Sequence, residues 1–147
     1  MDEDKEYHNI VDNILKHKEF IKLKDYKHHG LTRYDHVVRV SYWSYKIAKK
    51  LRLDYKSVAR AGLLHDFFFV NNQAITLGER IKVFCNHPKL ALENSKKYFD
   101  INKQEEKIIL SHMFPANMRI PTSLESWLVN IIDTVVSIYD RIISWFK

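Results

Sequence analysis

Apolar residues recur at three- and four-residue spacings along almost the whole chain, and little interrupts them. Only three glycines and three prolines occur in 147 residues, few for the many turns that a β-rich fold requires. The expectation is an all-α protein, a compact bundle of about six helices forming one domain over residues 1–147. No internal repeat or low-complexity linker divides it, and the length suffices for a substantial core. With 46% apolar and 29% charged residues the chain has the composition of a globular protein rather than a disordered one.

A first helix is expected over about 7–23, with Ile10, Ile14, Leu15 and Phe20 on its buried side, ended by "DYKHHG". The segment "LTRYDHVV" then reads as a helix start, with Thr32 as cap and Asp35 three residues on. This second helix runs to about Leu51 and carries His36, Val40, Trp43, Ile47 and Leu51 at helical spacings. Asp54 caps a third, which carries Val58, Gly62, His65 and Asp66. "VNNQAITLG" reads as a loop, and Asn86–His87–Pro88 opens a fourth helix with proline in its first turn. Asn102 with Glu105 starts a fifth, ending near Met113. Thr122 with Glu125 starts a long sixth that holds Asp133.

The formal net charge of +6 and pI near 9.3 favour anionic partners. No dense basic run or basic–aromatic repeat stands out, so no nucleic-acid partner is expected. Cys85 is the only cysteine, which excludes an intramolecular disulfide and a cysteine-rich zinc site. The N-terminus has no signal-peptide pattern. The apolar stretch "WLVNIIDTVVSIY" is short for a membrane span and holds Asp133. A cytoplasmic protein without a membrane partner is the expectation.

The eight histidines divide into two groups. His8, His17, His28 and His29 lie in polar surroundings and read as surface or loop residues. His36, His65, His87 and His112 fall on four separate helices or helix starts, each beside apolar positions. His65 is followed at once by Asp66 inside the apolar run "ARAGLLHDFFF". Asp133 sits in a helix apolar around most of its circumference, the pattern of a central buried helix. A buried carboxylate is costly unless paired. Four inward histidines and two inward aspartates at a common centre therefore point to cations, and imidazole with carboxylate suits iron, manganese, zinc, cobalt or nickel.

These residues resemble the pattern of the HD-domain superfamily of metal-dependent phosphohydrolases. An early histidine, an HD doublet and a late aspartate stand here as "RYDHVVRV", "LLHDFF" and "NIIDTVV". The two intermediate histidines of members with a two-metal site stand in "NHPKLALEN" and "LSHMFP". The resemblance covers about residues 31–140, the HD core, with the helix at about 7–23 preceding it. It implies that His36, His65, Asp66 and Asp133 hold a first metal and that Asp66 bridges to a second, held by His87 and His112. His65 and Asp66 would be the catalytic doublet.

What the resemblance implies is one or two divalent transition-metal ions and hydrolysis of a small phosphate ester, a nucleotide or dinucleotide foremost, by a metal-activated water. Two other functions share the ligand set: a di-iron oxygenase and a non-catalytic nucleotide-binding adaptor. Arg33, Arg39 and Lys89 are candidate phosphate-binding residues. The substrate entrance is expected beside the start of the second and fourth helices, with "VNNQAITLGERIKVF" as part of its rim. Many family phosphohydrolases place a glycine and a lysine shortly after the doublet, where this chain has "FFFVNNQ".

Overall fold

A computed structural model describes residues 2–28, 31–69 and 76–146. Seven α-helices lie among them: α1 (Asp2–Leu15), α2 (Lys18–Ile21), α3 (Arg33–Lys50), α4 (Tyr55–Leu64), α5 (Leu77–Tyr98), α6 (Lys103–Ser111) and α7 (Leu124–Trp145). A 3₁₀ turn (Lys22–Asp25) and two paired two-residue strands, β1 (Lys27–His28) and β2 (Leu31–Thr32), join α2 to α3. The fold is all-α, as its periodicity indicates.

Three helix starts form where the sequence signals them. Thr32 accepts from the Asp35 amide, Asp54 from the Ser57 amide, and Asn102 with Glu105 makes a complete reciprocal capping box. Others differ. The first helix breaks at Lys16–His17, where the His17 ring accepts from the Glu19 amide and starts α2. Near the C-terminus Ser123, not Thr122, caps α7. Glu125 turns away from the capping role and accepts from the Asp54 amide at 3.0 Å, tying the start of α7 to the start of α4.

The largest difference is α5. It starts ten residues before His87, at Leu77, and Pro88 lies inside it rather than in its first turn. Thr76 and Glu79 supply the missing signal, since Thr76 accepts from the Glu79 amide as in a capping box. His87 is therefore mid-helix, and no α5 N-terminus points at it. Of the expected rim, residues 77–84 are helix, while 70–75 lie outside the described residues.

The central helix is α4, not the longer and more apolar α7. Short and rich in small residues, α4 contacts α1, α3, α5, α6 and α7 and is buried along most of its length. Gly62 shows why it can be surrounded. A Cβ at Gly62 would lie 2.7 Å from Ser41 Cα, so α3 and α4 touch backbone to backbone. The buried stripe of α3 is turned accordingly, to His36, Val37, Val40, Ser41, Ser44, Tyr45 and Ala48, which leaves Trp43 and Leu51 exposed. Ser41 Oγ donates to the Ala59 carbonyl at 2.6 Å and Tyr7 OH donates to Ser41 Oγ at 2.7 Å, which locks α1 over the crossing. On the other side, Arg60 on α4 donates to the buried Glu105 carboxylate at 2.7 Å and so fixes α6.

Alanine usually stabilises a helix interior relative to glycine. At Gly62 the added methyl must push α3 away, so Gly62→Ala is expected to destabilise the fold by about 1–3 kcal/mol. A lowered thermal midpoint checks this; a raised one would show that the helices have room.

Candidate metal centre

Gly62 positions the first part of the site. The close crossing brings His36 of α3 beside His65, which ends α4, with ring centroids 5.5 Å apart. Asp66 follows in the turn. His87 comes from the middle of α5, His112 from the end of α6, and Asp133 from α7. His36 and His65 are fully buried, and Asp66 and His112 nearly so; His87 and Asp133 are half-buried at the rim.

The two oxygens of Asp66 divide these side chains into two groups. Oδ2 lies 3.5 Å from His65 Nε2 and 3.9 Å from His36 Nε2. Both of those nitrogens also face Asp133 Oδ1, at 3.2 and 2.8 Å. Oδ1 of Asp66 lies 3.2 Å from His87 Nε2 and 3.4 Å from His112 Nε2. The expected six residues thus converge on one centre, with Asp66 between the two sets.

Each imidazole is held by its other nitrogen. His65 Nδ1 donates to the Gly62 carbonyl at 2.6 Å and His112 Nδ1 to the Ile109 carbonyl at 2.7 Å. Both acceptors lie in a last helical turn, where carbonyls lack their usual amide partners. His87 has no helix end to use. There Pro88, which has no N–H, leaves the Phe84 carbonyl without its helical donor, and His87 Nδ1 takes that carbonyl at 2.9 Å. Phe68 stacks on the ring at 4.9 Å. His36 Nδ1 instead faces the buried Asp140 carboxylate at 3.3 Å, which Arg39 engages at 2.5 Å.

With Nδ1 protonated throughout, every Nε2 presents a lone pair, and every one points at a carboxylate oxygen or at another lone pair. His87 Nε2 and His112 Nε2 are 3.0 Å apart. A cluster of acceptors alone is repulsive until positive charge enters it. Protons partly serve. Burial opposes charging His36, but the Asp133 and Asp140 carboxylates hold it up to about 10. His65 is likewise raised against its burial by Asp66 and Asp133. Burial prevails at His112 and lowers it. Asp66 and Asp133 are both held below the ordinary carboxylate range against burial, the charge on His65 being the foremost cause in each. Such a donor set, imidazole and carboxylate without thiolate, fits divalent transition metals. Three overlapping triads meet the spacing for an ion, with donor atoms within 4.8 Å of one another: His36–His65–Asp66, His65–His112–Asp133 and Asp66–His87–His112.

A family model of the HD domain matches residues 33–138. The chain belongs to the HD-domain superfamily. No curated protein and no solved structure matches it. The HD-domain match spans all six converging residues, and HD domains bind divalent metals, most of them as metal-dependent hydrolases. Among the described residues no helix is long and apolar enough to cross a membrane.

The remaining candidates separate. Arg33 lies half-buried beside the doublet, its Nη1 donating to the Phe68 carbonyl at 2.6 Å and its guanidinium over the Phe68 ring at 4.3 Å. Arg39 is taken up by Asp140 and lines the outer groove between α3 and α7. Lys89 is exposed on α5. His8 is exposed and His17 half-buried against Tyr98 and Phe99; His29 and the side chain of His28 lie outside the described residues. Sequence reasoning missed Asp140. The available signal was its spacing of seven residues from Asp133, which places two aspartates on one face of an apolar helix. It missed Asn130 too, whose amide lies 3.2, 3.0 and 2.8 Å from the carbonyls of Ser111, His112 and Phe114 and anchors the segment carrying His112.

Asp140 orients His36 without reaching the centre. Asp140→Asn is expected to weaken metal binding by about 10–100-fold, with an unchanged helical circular-dichroism spectrum. Titration of the metal-free protein checks this, and unaltered affinity would remove Asp140 from the account.

Proposed function

We propose that this protein is a metal-dependent phosphohydrolase that cleaves a small phosphate ester, a nucleotide foremost. The observation that carries the reading is the placement of Asp66, with one carboxylate oxygen toward each group of imidazoles. His36, His65, Asp66 and Asp133 would hold one ion, and Asp66, His87 and His112 a second. Iron, manganese, zinc, cobalt and nickel all suit these donors. Bound there, divalent metal supplies activation of water at neutral pH and neutralises charge on phosphoryl oxygens.

The protein's own contribution is orientation and charge. The carbonyls of Gly62, Phe84 and Ile109 keep three imidazoles in the tautomer that presents Nε2. Asp140 does the same for the fourth. Half-burial of His87 and Asp133 leaves the rim of the centre reachable from solvent, where a phosphate group would enter. Arg33 holds a positive charge beside the turn that follows the doublet, the place where many relatives put a lysine. In this reading the cation comes from the start of α3 instead, and Lys89 remains the second candidate for binding the substrate's phosphate. No serine or cysteine is needed as nucleophile.

Protein purified without chelator should release phosphate or nucleoside monophosphate from members of a nucleotide and phosphate-ester panel supplied with Mn²⁺, Fe²⁺, Co²⁺ or Ni²⁺. His112→Ala should lower turnover about a hundredfold or more, equivalent to several kcal/mol of transition-state stabilisation, while leaving the helical content intact. Arg33→Ala should raise KM or lower turnover without releasing metal. Absence of turnover across the panel with every metal, or a fully active His112→Ala variant under limiting metal, would contradict the reading.

A further inference from the structure

The apolar character of α7 is not consumed by the core. Its inner face, Val129, Asn130, Asp133, Val136 and Asp140, packs toward the metal centre. On the outer face, Leu128, Ile131, Val135, Ile138, Ile142 and Trp145 follow one another at alternating spacings of three and four residues. That is a strict 3.5-residue repeat, the pattern of a helix–helix seam rather than of a helix laid on a globular core. Leu128 is half-buried, and the other five are between 45% and 81% exposed. Trp43 of α3 extends the same surface, and a groove of about 500 Å³ between Trp43, Ile47, Val135 and Tyr139 runs beside it.

We propose that this face of α7 is a dimer interface, occupied by α7 of a second copy of the same chain. The area is close to what a pair needs. Trp145 and Trp43, 81% and 51% exposed, and four aliphatic side chains about half exposed leave roughly 700 Å² of apolar surface in water, the aromatic ones being the largest contributors. Ordinary monomers leave roughly 300–600 Å² in their largest patch, and a standard interface takes about 800 Å² from each partner.

The charge pattern selects the occupant. None of the six seam residues is polar, and of the flanking Ile132, Thr134, Tyr139 and Arg141 only Arg141 carries a charge. A seam that chooses a different partner helix uses polar seam positions or several charged flanks to do so. This one has apolar seam positions throughout and a single charged flank, Arg141 beside Ile142, and an apolar stripe of this kind is self-complementary, which is the requirement of a two-fold pair. A membrane-surface helix carries lysine and arginine along its polar face. In α7 the only basic residue is Arg141, and the opposite face bears the site aspartates instead. The same helix thus presents Asp133 and Asp140 inward and a pairing surface outward, so association would hold in place the element that carries them.

Sedimentation of the full chain tests this directly. The wild type is expected to be dimeric at micromolar concentration. The Ile131→Glu/Ile138→Glu variant should be monomeric or at least a hundredfold weaker in association, with the helical spectrum and metal content of the wild type. A wild type that stays monomeric up to about 100 µM would overturn the proposal whatever the variant does, because a patch of this size exposed at that concentration would then have no affinity for itself. Monomeric wild type bound to anionic vesicles of phosphatidylcholine and phosphatidylserine would overturn it in favour of a membrane surface. A folded variant that remains dimeric would place the interface elsewhere.

Discussion

Everything in this fold converges on one unfavourable arrangement, a nearly buried carboxylate set among imidazole lone pairs. Asp66 is flanked on both sides by Nε2 atoms that cannot donate in their neutral tautomers, because Nδ1 of each ring is already spoken for by a carbonyl or by Asp140. Burying such a group costs several kcal/mol without compensation. Positive charge at the centre converts the cost into cohesion. Since the six side chains come from α3, the end of α4, α5, α6 and α7, the same charge joins most of the bundle. Chemistry and architecture share one constraint here.

The scaffold answers that constraint with small, local devices. A glycine permits the contact between α3 and α4 that brings His36 to His65. A proline in mid-helix frees the carbonyl that turns His87 inward. An asparagine on α7 gathers the carbonyls at the end of α6. None of these three residues touches the centre, yet each decides where a donor atom lies. The pairing of Arg60 with Glu105 belongs with them, because it fixes the helix that ends at His112.

Much of this was legible in the sequence where local physics decides. The caps at Thr32, Asp54 and Asn102 depend only on residues three apart, and the HD doublet advertises itself as charge within an apolar run. Pro88 was misleading because proline is usual in a first turn, and Thr76 with Glu79, upstream of it, carried the stronger signal. For α7 the pattern could not be read from hydrophobicity alone. A helix apolar on two faces looks the same whether its second face meets a core or meets water, and only the placement of α4 at the centre separates the two. Asp140 lies 104 residues from the histidine it orients, a contact that no local rule specifies. The position of Arg39 follows from the same unforeseen carboxylate.

The division of the donors by Asp66 is the claim on which the account rests, and metal stoichiometry measures it. Elemental analysis of chelator-free protein, reloaded to saturation, should find about two ions per chain in the wild type and about one in the His87→Ala/His112→Ala variant, as a two-metal site built around a shared carboxylate requires. Equal metal content in the two proteins, or a folded wild type that takes up none, would contradict it.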